Sequence, residues 1–153
     1  MRGIKNIIIS VALLTGGYGP LVHSDDAIEV VKPVNERRAI QNFTLNCQGC
    51  HQRSGEGSKG GAPSMVGTVA NFLNAPGGRE FLLRVPGVAS TALKSEAVAE
   101  LMNWLIYEFD AEHVPADFVP FTGDEVHRMR QNPYVQEAGD IRAELMAYLK
   151  SEY

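Results

Sequence analysis

Residues 35–51 read Asn-Glu-Arg-Arg-Ala-Ile-Gln-Asn-Phe-Thr-Leu-Asn-Cys-Gln-Gly-Cys-His, and the last five, Cys47-Gln48-Gly49-Cys50-His51, decide how the rest of the chain is read. C-x-x-C-H is the spacing of covalent c-type haem attachment. Two thiols three positions apart reach two vinyl-derived carbons of one porphyrin, and a histidine directly after the second thiol lies under the iron. The pattern assigns Cys47 and Cys50 to thioether bonds with one haem c, and His51 to the iron as its proximal ligand. Two other uses of paired cysteines compete. A redox C-x-x-C follows a strand in an α/β pattern, and a structural zinc needs two further ligands at metal spacing, but the chain holds only 2 cysteines.

Towards the amino terminus, Arg2 and Lys5 precede an apolar run from Ile7 to Leu14, and Val22-His23-Ser24 offers tolerated residues around a cleavage point. That is the layout of a secretory signal peptide covering residues 1–24. The apolar run falls well short of the roughly 18 to 20 residues that span a bilayer, so cleavage is expected rather than stable membrane insertion. The expected location is the periplasm.

Removing Arg2 and Lys5 from the 14 basic side chains leaves 12 against 18 acidic ones, a net charge of −6 before any haem carboxylate is counted. Nucleic acid is thereby a poor partner, because its phosphates demand clustered Lys and Arg. Proteins with basic docking faces suit this charge better. About 129 residues remain after the leader, one domain by length. With both cysteines on haem, no disulfide is left to staple an exported fold.

Periodicity predicts helices throughout. Asn35 to Asn46 forms one, capped by Asn35, with Glu36 in the first turn and Ala39, Ile40 and Phe43 on one side. A glycine-rich polar loop fills 53–63, where backbone can pass close to a ring edge. After Phe72 and the Pro76-Gly77-Gly78 turn, Arg79 to Arg84 is helical, ending at Pro86-Gly87. The clearest helix spans 95–109: Ser95 caps it, and Ala97, Val98, Leu101, Leu105 and Phe109 recur at three- and four-residue intervals.

Over roughly residues 35–109 the chain resembles the class I cytochromes c. That family pairs a small residue and an aromatic one turn apart before C-x-x-C-H; Ala39 and Phe43 hold those places. Leu101 and Trp104 sit in the helix that corresponds to the family's last, where Trp104 is a core residue. The resemblance also places a proline twelve residues after the proximal histidine, its carbonyl accepting the imidazole N–H, with an apolar residue two positions on. Pro63 and Met65 match. Such a hydrogen bond fixes the tautomer and strengthens the ring nitrogen as a donor to iron. Export agrees with the resemblance too, which implies haem attachment on the outer face of the bacterial inner membrane.

The departure concerns the sixth ligand. The family pattern has a Met-Pro pair on the loop before the last helix, whereas this chain reads Val85-Pro86-Gly87, and no methionine or histidine lies between Gly67 and Leu101. Met65 and Met102 are the candidate distal ligands, each with a competing role in the core. His113, His127 and Met129 are alternatives from the tail, and an open five-coordinate iron is a further one. Haem carboxylates favour arginine partners, so Arg79 and Arg84 are candidates for cofactor binding, ahead of Arg53.

The expected fold is all-α: a class I cytochrome c-like helical domain over 25–110 around one haem, plus a C-terminal helical hairpin extension over 111–153 packed on or beside it. Val114-Pro115 and Val119-Pro120 make an extended connector, Thr122-Gly123-Asp124-Glu125 opens a helix as a capping box, and Asn132-Pro133 stops it. A last helix from about Asp140 aligns Ile141, Leu145, Tyr148 and Leu149. The extension either enlarges the core or serves as a docking surface or haem shield. The expected function is single-electron transfer between a periplasmic dehydrogenase-type partner and an acceptor. No separate acid–base pair is legible, so the chain reads as an electron-transfer protein, alone or as an oxidoreductase subunit, rather than an independent enzyme. The competing class is a small-ligand-binding or sensing haem protein with an open distal site and weak peroxidase activity.

Overall fold

A computed structural model describes residues 35–152, so the leader expected over 1–24 lies outside the described residues. Seven α-helices follow in order: α1 (Glu36–Asn46), α2 (Gln48–His51), α3 (Gly78–Arg84), α4 (Pro86–Ala89), α5 (Ser95–Asp110), α6 (Gly123–Met129) and α7 (Ala138–Glu152). Short 3-10 turns occupy Asn71–Asn74 and Ala111–His113. Among the described residues the fold is all-α.

Helix α1 starts where the sequence places it, because the Asn35 side chain accepts the Arg38 N–H at 3.0 Å and satisfies an otherwise orphaned donor. Its inner face is narrower than expected. Ala39 and Phe43 are buried, but Ile40 is 45% exposed, since the step of one residue from Ala39 carries it off the contact line with α5. The small Ala39 lets α1 and α5 approach. There Phe43 meets Trp104 at 5.6 Å and Phe109 at 5.2 Å between ring centroids, a tilted aromatic cluster that fixes the crossing. Arg38 adds a two-pronged bond to the buried Glu100 carboxylate, at 2.5 and 2.9 Å.

Helix α5 begins at Ser95 rather than after it. Lys94 holds the cap position, and no side chain satisfies the first turn there. Of the predicted face Val98, Leu101 and Leu105 are buried, Ala97 and Phe109 are only half-buried, and Met102 and Ile106 join the buried set. The two tail helices and the connector before them bury their own apolar residues in the same cluster through Phe121, Val126, Leu145 and Leu149. Tyr148 does not join them; it is 40% exposed.

Polar side chains seal these contacts. Asn103 on α5 grips the Phe121 backbone with both amide atoms, donating to its carbonyl at 3.0 Å and accepting its N–H at 2.8 Å. Thr122 caps α6 by accepting the Glu125 N–H, yet Glu125 does not reach back to complete the box. Its carboxylate is taken by Arg79. The Gly77-Gly78 turn is sterically required: Gly77 sits at φ 81°, and a Cβ on Gly78 would collide with the Phe72 carbonyl oxygen.

Candidate functional site

The end of α1 delivers Cys47 to the site. Its N–H still bonds the Phe43 carbonyl, while its own carbonyl accepts the N–H groups of Cys50 and His51 at 3.1 and 2.9 Å. One helical turn therefore presents both sulfur atoms and the imidazole together. Gln52, at φ 64°, breaks the turn and sends the chain into the glycine-rich loop. That loop returns Pro63 to the imidazole: His51 Nδ1 lies 3.0 Å from the Pro63 carbonyl oxygen. A carbonyl only accepts, so Nδ1 carries the proton and Nε2 keeps its lone pair for a metal.

Cys47, Cys50, His51, Pro63, Met65 and Met102 all line one cavity of about 470 Å³, a volume in the range of cofactor sites. The rest of its wall is mostly apolar, with Phe72, Phe81, Leu82, Val85, Val88 and Leu105 among the contributors. Burial pushes the Cys47 thiol above its ordinary range, and the neighbouring Cys50 sulfur adds to the effect. The C-x-x-C follows helix α1 and not a strand, the context that a redox pair requires.

Arg79 and Arg84 are not among the residues lining the cavity. Arg79 donates to both Glu125 carboxylate oxygens, at 2.6 and 2.7 Å, and to the Val119 carbonyl at 2.8 Å. Arg84 donates to the Asn132 carbonyl and the Tyr134 hydroxyl, each at 2.6 Å, and stacks 3.7 Å over the Tyr134 ring. Both arginines tie the tail to α3. Of the tail candidates, His113 pairs with Asp110 at 2.5 Å, His127 is exposed, and Met129 packs against the core; none lines the cavity. Asp110 itself is a local clamp, its other oxygen accepting the Ala70 and Asn71 N–H groups at 2.8 and 3.0 Å.

One cationic residue does line the cavity, and sequence reading passed over it. Arg142 on α7 reaches it beside Ala138 and Gly139, its guanidinium 5.8 Å from the Phe72 ring centroid. A signal existed in the register: Leu149 and Leu145 continue at helical spacing through Arg142 to Ala138, so all four share one face.

Among known proteins, cytochrome c-552 of Thermus thermophilus is 36% identical to this chain over 103 residues, covering 55% of this chain and 78% of its own length. A second cytochrome c-552 from the same species matches equally, at 36% over 103 residues and 69% of its length. The chain belongs to the c-type cytochromes. No family model matches it. Membership makes it a haem-iron protein that transfers electrons to protein partners. The donor set fits that cofactor: two thiols and an Nε2-directed imidazole on one turn, at the wall of an apolar cavity. In this cytochrome Cys50 is exposed, which puts that side of the site at the protein surface.

Proposed function

We propose that this cytochrome carries one haem, joined by thioether bonds to Cys47 and Cys50 and ligated by His51, and shuttles single electrons between a dehydrogenase-type partner and an acceptor in the periplasm. The observation that carries the reading is the hydrogen bond between His51 Nδ1 and the Pro63 carbonyl beside the two thiols. Haem, when bound, supplies a one-electron couple. The chain's own residues do the rest. Pro63 holds the imidazole in the tautomer that leaves Nε2 free, and the apolar wall excludes water and so favours the lower-charged, reduced state. Arg142 offers a guanidinium to the haem carboxylates.

Residues 1–24 act in this reading as a signal peptide, 25–110 as the cytochrome domain and 111–153 as its extension. Among the described residues no helix is long and apolar enough to cross a membrane. The acidic chain suits a partner with a basic docking face, and the exposed Cys50 side is where electrons enter and leave. Redox titration of the matured protein tests this directly. One reversible one-electron transition per chain is expected, with second-order reduction by a basic-faced dehydrogenase that slows as salt rises. A chain that shows no such transition would refute the proposal.

A further inference from the structure

We propose that the cavity wall formed by residues 85–91 leaves the haem iron with an open sixth position, and that this position binds a small uncharged diatomic ligand of the carbon monoxide or nitric oxide class. The inference rests on the haem reading above and goes beyond it, since it adds a binding site to a carrier.

Val85, Pro86, Gly87, Val88 and Thr91 line the cavity from the segment where the class I resemblance would put a methionine ligand. None of them has a donor suited to haem iron. Lys94, three residues beyond that segment, is exposed and is not among the lining residues. Met65 lies two residues from Pro63, whose carbonyl holds His51, and its N–H is bonded to the Gly55 carbonyl at 2.8 Å; its backbone therefore belongs to the His51 side. Met102 is only 3% exposed and sits within the α5 face that carries Val98, Leu101 and Leu105. Both methionines have a packing role that needs no bond to iron.

A loop that donates no ligand must be held in another way, and this one is. Arg130, just after α6, spreads its guanidinium over the carbonyls of Ala89 at 3.0 Å and Thr91 within the segment, and of Leu93 at 2.8 Å just beyond it. At the segment's start the Arg84 carbonyl accepts the Tyr134 N–H at 2.8 Å. The tail thus fixes the 85–91 wall through protein hydrogen bonds alone, so the wall keeps its shape whether or not the iron is ligated from that side.

The chemistry of the lining selects the ligand. On the 85–91 side, Leu82, Val85 and Val88 offer no hydrogen-bond donor, and in this structure Thr91 turns its hydroxyl to Asn46 at 3.5 Å. Arg142 reaches the cavity from α7, where the proposed function gives it the haem carboxylates, so an uncharged diatomic suits the 85–91 side better than an anion. Uptake breaks no bond within the protein and moves no electron.

The test uses the full chain matured with haem, and carbon monoxide as the probe. The ferric protein should be high-spin, and the reduced protein should bind one carbon monoxide per haem at a rate that rises linearly with its concentration, because no internal ligand has to leave first. A low-spin ferric spectrum that turns high-spin in Met65→Leu or Met102→Leu would identify that methionine as the iron's ligand and overturn the open site. A low-spin ferric spectrum with a thioether charge-transfer band, or a binding rate that saturates, would overturn the open site while leaving haem attachment standing. A chain with no attached haem overturns the haem reading itself, and the ligand site falls with it.

Discussion

Replacing Arg79 by methionine separates two roles for this side chain, because a haem-carboxylate partner and an anchor for the tail fail in different ways. The structure places Arg79 against Glu125 with two short bonds, a third bond to Val119, and its guanidinium 4.4 Å over the Phe121 ring. Both partners are mostly removed from water, with 30% and 14% of their side chains exposed. Breaking a fully buried pair costs about 3–5 kcal/mol, chiefly through the charge left behind, and partial solvation here reduces that to about 2–3 kcal/mol. Loss of the contact over Phe121 adds roughly 0.5–1 kcal/mol. A change of about 3 kcal/mol in a domain of this size lowers Tm by roughly 10 °C. Thermal unfolding followed by far-UV dichroism measures it, and redox titration of the same sample gives the control. The expected result is a lowered Tm with an unchanged reduction potential and haem spectrum, and partial recovery of Tm when Glu125→Gln is added. An unchanged Tm with a shifted potential would refute the reasoning and return Arg79 to the haem.

Gly78→Ala should destabilise the fold by about 2–4 kcal/mol, read as a fall in the urea midpoint, because its Cβ would collide with the Phe72 carbonyl rather than with a movable side chain. The hydrogen bond to Asp110 raises the pKa of His113, so its stabilising contribution is fully present below the unfolded value of about 6.5 and is lost as pH rises through the folded value. Urea midpoints measured across that window should fall with pH in the wild type more than in His113→Gln; parallel profiles would refute the assignment. Arg130→Met frees three carbonyls in 89–93 and should make that segment the first site of limited proteolysis, where wild type resists cleavage.

What was legible depended on whether a residue's role was local. The C-x-x-C-H turn, the Asn35 cap, the Thr122 cap and the inward face of α5 all follow from neighbours within one or two turns, and the structure places them accordingly. The Pro63 carbonyl at His51 was legible through the class I resemblance, since nothing in the intervening loop requires that return. The arginines were not. Arg79 and Arg84 look alike in sequence as free cations near the haem loop, and only the path of a tail forty to fifty residues later decides that Glu125, Asn132 and Tyr134 meet them first. Arg142 was hidden for the converse reason: a charge on an apolar stripe reads as an interruption until the cavity beside it is known.

Mass spectrometry of peptides from protein matured with the haem-attachment machinery tests the central claim most directly. A single haem carried by the peptide that spans Cys47 to His51, surviving acid-acetone extraction and lost in Cys47→Ala/Cys50→Ala, is the predicted result; the same peptide recovered with two unmodified thiols would contradict it.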